Sequence, residues 1–144
     1  MRLVLARLAR FGWNRRVLTA DDFYEICERE RIEVIETPLS NDGFYVVWHK
    51  RKFIVLNSKL RGVRWLHVAF HELAHHLLHA PQSIGFRGLR PDTKQEREAE
   101  ALALCALIPE PLLRQMLTWE IEDEYGYTRD ILEARLKVLD EFGV

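Results

Sequence analysis

The sequence has 144 residues, 48% of them hydrophobic and 30% charged, with 7 Gly and 5 Pro. That composition excludes disordered and fibrous classes and suits one globular domain spanning residues 1–144. Lys and Arg number 21 against 22 Asp and Glu, so a net charge of −1 gives no electrostatic pull toward nucleic acid or an anionic membrane. No apolar stretch approaches the roughly 20 residues that cross a bilayer. The N-terminal MRLVLARLARFGW has scattered arginines and no small-residue cleavage site, so a cytoplasmic protein without membrane attachment is expected. Cys27 and Cys105 form no C-x-x-C or paired-Cys metal pattern and read as small, reduced core residues.

In chain order, residues 1–18 read as an N-terminal helical extension, with Arg2, Arg7 and Arg10 alternating with Leu and an apolar side expected to dock on the domain. Thr19 is placed to cap a helix running to about Arg31, with Asp21 and Asp22 in its first turn. IEVIET alternates as a half-buried strand and is stopped by Pro38. The turn residues Asn41 to Gly43 introduce FYVVW as a second strand, and a polar turn over His49 to Lys52 leads into FIVLN as a third. A helix is expected from about Val63 to Ala80, ended by Pro81, with Leu66, Ala69, Phe70, Leu73 and Leu77 on one face and His67, His71, His75 and His79 roughly opposite. A loop containing Pro81, Gly85, Gly88 and Pro91 precedes a helix from about Thr93 to Ile108. Further helices are expected near Leu112 to Glu122 and from Thr128 as N-cap to about Phe142. The fold class is therefore α+β: a small antiparallel sheet flanked by helices, with the His-rich helix packed on it.

The chemistry lies in HELAHHLLH, where His71, Glu72 and His75 form H-E-x-x-H inside a helix. Residues four apart stand one turn above each other, so two imidazoles can converge on one Zn²⁺ at about 2.0–2.1 Å. Glu72 is turned about 100° from His71, poorly placed to join the pair as a ligand but able to reach the open side of the metal as a general base. A shuffled chain of this composition would contain the motif roughly 0.025 times, so chance is a minor rival. His67 and His79 read as rim or supporting residues, and His76 as exposed. A catalytic zinc needs a third protein ligand. Glu96 and Glu100 share a face of the next helix while Glu98 points away. Glu96 also completes a capping box with Thr93, so spacing places it only slightly ahead of Glu100.

FIVLNSKLRGVRWLHVAFHELAHHLLH followed by EREAEALALCALIP resembles the ImmA/IrrE family of small zinc-dependent metallopeptidases, closely over about residues 53 to 109. The resemblance implies that His71, His75 and Glu96 ligate one zinc per chain and that Glu72 is the base. Glu100 falls where that family has Asn or Asp, a position that would support a ligand His or, with the longer Glu, compete for the metal. It further implies an intracellular endopeptidase whose substrate is a helix-turn-helix repressor, without direct contact to nucleic acid. Tyr45, His79, Tyr125 and Tyr127 are candidates to steady the oxyanion, each with a structural role as the stronger reading. Three other functions compete: a non-catalytic anti-repressor that keeps the fold, a zinc hydrolase of small amides or cell-wall peptide, and a structural zinc site. Intact Glu72, the absence of a signal sequence and the placement of the cysteines weigh against them in turn.

Overall fold

The computed structural model describes residues 1–78 and 93–144. His79 and the expected Pro/Gly loop lie outside the described residues. Helix α1 (Arg2–Leu8) buries Leu5 and Leu8 and continues into a 3₁₀ turn, Ala9–Phe11. Beyond it the Trp13 indole N–H donates to the Leu102 carbonyl at 2.8 Å, and the Leu18 N–H to that of Ala106 at 3.0 Å. The first eighteen residues are thus tied to the body of the protein by buried apolar contact and by hydrogen bonds.

Helix α2 (Ala20–Arg29) starts at a capping box. The Asp22 carboxylate accepts from the Thr19 N–H at 2.8 Å while Thr19 Oγ1 accepts from the Asp22 N–H at 3.3 Å, so two helix-end donors are satisfied reciprocally. The Arg16 guanidinium forks onto the same carboxylate, both N···O distances being 2.8 Å. Phe23, Ile26 and Cys27 form the buried side of this helix.

Three strands follow, β1 (Ile32–Thr37), β2 (Gly43–Trp48) and β3 (Arg51–Asn57), and the sheet they make is mixed rather than antiparallel. The spatial order is β1-β3-β2, with β2 antiparallel and β1 parallel to β3. Chain reversal between β1 and β2 does occur after Pro38, but β3 returns between the two strands. Strand periodicity identifies a strand and its buried face, not its neighbour. The continuous apolar run Ile54-Val55-Leu56, buried throughout, suits the central position. The β2–β3 hairpin closes through His49 and Lys50, both with positive φ (48° and 64°), the primed two-residue turn that matches strand twist. Asn57 holds the crossover: its side-chain amide donates to the carbonyls of Leu39 and Asn41, and its own N–H to that of Asp42. Gly43 begins β2 where a Cβ would stand 2.7 Å from the Val55 carbonyl oxygen, so the close approach of strand to strand requires glycine.

Helix α3 (Gly62–Leu78) lies on β2 and β3, and Ala69, Phe70, Leu73 and Ala74 are among its buried residues. Helix α4 (Thr93–Leu107) packs along α3, and its residues from Ala101 to Leu107 are buried on every side. Alanines at 99, 101, 103 and 106 let neighbouring backbones come close. Burial pushes the thiol pKa of Cys27 up to about 12 and that of Cys105 to about 11, consistent with inert core residues. The helix expected from Leu112 to Glu122 is two helices, α5 (Glu110–Gln115) and α6 (Thr118–Tyr125). Met116 and Leu117 adopt extended backbone between them, and the Glu120 carboxylate accepts from the Leu117 N–H at 2.9 Å. No Pro or Gly marks that break, which is why periodicity runs through it. Helix α7 (Arg129–Phe142) buries Arg135 completely. The Arg135 guanidinium donates to the carbonyls of Ile108 and Val144, each at 2.5 Å, and to Asn14 Oδ1 at 3.2 Å. One side chain thereby connects α7, the end of α4 and the N-terminal segment.

Arg16, the largest influence on Asp22, and the Thr19 cap together hold the Asp22 carboxyl at about 2 against the pull of burial. A lowered folded-state pKa contributes stability above the ordinary carboxyl pKa and loses it as pH falls through the folded value. Asp22→Ala should therefore cost about 1 kcal/mol at pH 6, modest because Arg16 is half exposed. That difference should shrink toward zero near pH 2, as read by urea unfolding of both proteins at the two pH values.

Candidate metal centre

One surface of α3 carries His67, His71 and His75 at four-residue spacing, and the facing surface of α4 carries Glu96 and Glu100 at the same spacing. The Glu96 carboxylate reaches both outer members of the H-E-x-x-H segment: Oε2 lies 3.0 Å from His71 Nε2, and Oε1 lies 3.0 Å from His75 Nε2. The two Nε2 atoms are 3.2 Å apart. His75 is almost fully buried, and the side chains of His71 and Glu96 are 18% and 35% exposed, so solvent reaches the cluster through His71 and Glu96. Among the described residues, these three form a group whose donor atoms could hold one metal ion.

The donor set fits zinc. A tetrahedral ion with ligands at about 2.0–2.1 Å holds them about 3.3 Å from each other, close to the 3.0–3.2 Å measured here. Two imidazole nitrogens and a carboxylate this close together need positive charge among them, either as protons on the histidines or as a cation. Glu98, by contrast, stands 3.9 Å from Lys94 on the side of α4 away from this cluster.

Glu100 occupies the opposite side of the His71 ring. Its Oε2 accepts from His71 Nδ1 at 2.8 Å, and its Oε1 from His67 Nε2 at 2.6 Å. Burial works against ionisation of this carboxyl, yet the His67 and His71 hydrogen bonds outweigh it and hold the pKa at about 2. Burial, the largest single influence, works against protonation of His71, but the Glu100 hydrogen bond, the charges of Glu72 and Glu100 and the Glu96 hydrogen bond together raise its pKa overall. An ionised Glu100 can only accept hydrogen bonds, so the His71 Nδ1 carries hydrogen and the Nε2 is the atom that turns toward His75 and Glu96.

Glu72 is 6% exposed and lines a cleft of about 280 Å³ together with Asp42, Gly43, Arg64, His67 and His71. On the other side of His71 and Glu100, a second cleft of about 410 Å³ runs between α4 and α7 over Ala101, Leu104, Ala134 and Val138. A hollow of about 450 Å³ beside α1 and α5 shares none of these residues.

His76 departs from the exposed position expected of it. Its Nε2 donates to Glu30 at 3.1 Å, and its Nδ1 accepts from the Tyr45 hydroxyl at 2.8 Å, with only 10% of the side chain exposed. Residues of α2 and β2 cover that side of α3, which periodicity within one helix cannot reveal. Burial, the largest influence, lowers its pKa. Two of the expected oxyanion candidates are also engaged elsewhere: Tyr45 with His76, and Tyr127, whose hydroxyl donates to the Leu107 carbonyl at 2.7 Å. Tyr125 stacks on Tyr127.

Over 97 residues the chain is 34% identical to a protein of Bacillus phage phi105 described as "Uncharacterized immunity region protein 2". That match covers 64% of this chain and 61% of the phage protein. None of the helices among the described residues is long and apolar enough to cross a membrane. The model of the Peptidase M78 family, the IrrE N-terminal-like domain, matches residues 27–143, and the chain belongs to that peptidase-like family.

Proposed function

We propose that this protein is a zinc-dependent endopeptidase that works in the cytoplasm and cuts a transcriptional repressor. The observation that carries the reading is the triangle of His71, His75 and Glu96 donor atoms 3.0–3.2 Å apart, with Glu72 in the adjoining cleft. His71, His75 and Glu96 would hold the metal. When bound there, zinc supplies Lewis acidity, which polarises a peptide carbonyl and acidifies water toward pKa 7.

The chain's own residues supply the rest. Glu72 would take a proton from the attacking water on its carboxylate and return it to the leaving amine as the C–N bond breaks. Glu100 accepts from the His71 Nδ1 and so keeps the Nε2 lone pair aimed at the metal position. The two clefts that meet at His71 and Glu100 provide room for a peptide on both sides of the reacting carbonyl. A repressor as substrate is supported by the phage relative, whose description places it in an immunity region.

Wild type and Glu72→Gln should each bind about one zinc per chain, and His71→Ala less; cleavage of a repressor encoded beside the gene should be seen with wild type alone, Glu72→Gln losing about 10²-fold or more. Metal analysis and an electrophoretic cleavage assay check this. A Glu72→Gln protein that still cuts would eliminate the enzyme reading, and one that lifts repression without cutting would establish a binding-only anti-repressor.

Replacing a ligand should cost more than the roughly 10–100-fold in metal affinity typical of outer partners. Glu96→Gln should therefore weaken zinc binding beyond that range while Glu98→Gln leaves it unchanged, measured by competition with a chromophoric chelator. Equal affinities would remove Glu96 from the ligand set.

Zinc competes with the protons of His71 and His75. With the His71 pKa raised in the metal-free protein, apparent zinc affinity should climb from about pH 5 to about pH 8, with proton release on binding. Titration calorimetry in buffers of different ionisation enthalpy measures both, and a flat profile would contradict imidazole ligation.

A further inference from the structure

Glu96 and Glu100 are chemically identical, stand one turn apart on one face of α4, and both reach His71, at 3.0 and 2.8 Å. Something must decide that one carboxylate faces the His71 Nε2 and the other the Nδ1. Glu96 sits opposite His71 and His75. Glu100 sits opposite His71 and His67, and the two hydrogen bonds it accepts, 2.6 and 2.8 Å long, use both of its oxygens.

We infer that His67 is a positioning residue: it anchors the second oxygen of Glu100 and thereby holds that carboxylate on the Nδ1 side of His71, out of the metal position. His67 and His71 lie one turn apart, so a carboxylate accepting from both is pinned across two turns of α3. To reach the Nε2 side, Glu100 would have to give up both bonds. With His67 removed, only one bond remains and the Glu100 side chain is free to rotate about it, so it both supports His71 less firmly and gains access to the metal. The His67 side chain is 25% exposed at the mouth of the cleft that contains Glu72, so its substitution need not disturb the core. This inference rests on the metal reading of His71, His75 and Glu96.

The experiment measures zinc affinity by chelator competition and the electronic spectrum of the Co²⁺-loaded protein, for wild type, His67→Leu, His67→Gln, Glu100→Ala and the His67→Leu/Glu100→Ala double variant. His67→Leu should weaken zinc roughly 10-fold and alter the Co²⁺ spectrum, whereas His67→Gln, whose amide N–H can still donate to Glu100, should stay within about 2-fold of wild type. In the Glu100→Ala background, His67→Leu should add nothing. Unchanged affinity and spectrum in His67→Leu, or an equal loss with Glu100 already absent, would overturn the assignment. Circular dichroism of the metal-free proteins identifies any variant that fails to fold. If His67→Leu does, His67→Asn replaces it, and its short amide, unable to reach Glu100, should lose what His67→Gln keeps; equal behaviour of Asn and Gln overturns the inference. A wild-type protein that takes up no zinc overturns the metal reading itself and this inference with it, which distinguishes the two failures.

Discussion

Helices α3 and α4 lie against each other in a register that builds the whole site. Successive turns of α3 present His75, His71 and His67, and successive turns of α4 present Glu96 and Glu100. Glu96 spans His75 and His71, and Glu100 spans His71 and His67, so the helices run in opposite directions and each carboxylate bridges two imidazoles. The ladder closes because both helices repeat at the same four-residue spacing, about 6 Å along the axis. A slip of one residue would move a side chain by about 1.5 Å along the helix and 100° around it, and every one of these contacts would be lost together. The apolar faces prevent that slip. Ala69, Phe70 and Leu73 of α3 and the fully buried stretch from Ala101 to Leu107 of α4 leave no room for sliding in a close-packed interior.

The ladder is also an electrostatic arrangement. Three imidazoles and two carboxylates are gathered in a partly buried cluster, and burial alone would discourage every charge among them. Glu100 stays ionised because two N–H groups point at it, and its negative charge in turn raises the His71 pKa. The same ring therefore has a fixed hydrogen on Nδ1 and an Nε2 that can take a proton or, in the proposed function, a metal ion in competition with it. Two carboxylates of one residue type thus take different tasks because the groups around them differ.

Away from the site, a few buried polar groups hold the supporting elements where the ladder needs them. Arg135 links α7, the end of α4 and Asn14; Trp13 ties the N-terminal segment to Leu102; Asn57 closes the crossover beside β3. Trp13 and Arg135 satisfy carbonyls that the fold would otherwise bury without partners, which makes them costly to replace. His76 ties the back of α3 to the Glu30 carboxylate at the end of α2 and to the Tyr45 hydroxyl of β2. It is next to His75 in sequence but faces the scaffold rather than the cluster of His71, His75 and Glu96.

Local chemistry was legible in the sequence by itself. The Thr19 cap, the strand alternation, the apolar face of α3 and the spacing of His71, Glu72 and His75 depend only on residues a few positions apart, where helix and strand periods set the geometry. The same spacing put Glu96 and Glu100 on one face of α4 and excluded Glu98. Spacing could not say which of the two faces which nitrogen of His71; the family resemblance implied different tasks for them, and the facing atoms follow from the register between α3 and α4. Tertiary structure alone decided that β3 enters between β1 and β2, that Arg135 is buried, that His76 is covered, and that the chain breaks at Met116 without a Pro or Gly. Except at Met116, the deciding partner lies far away in the chain, and periodicity carries no information about which distant surface a given face will meet.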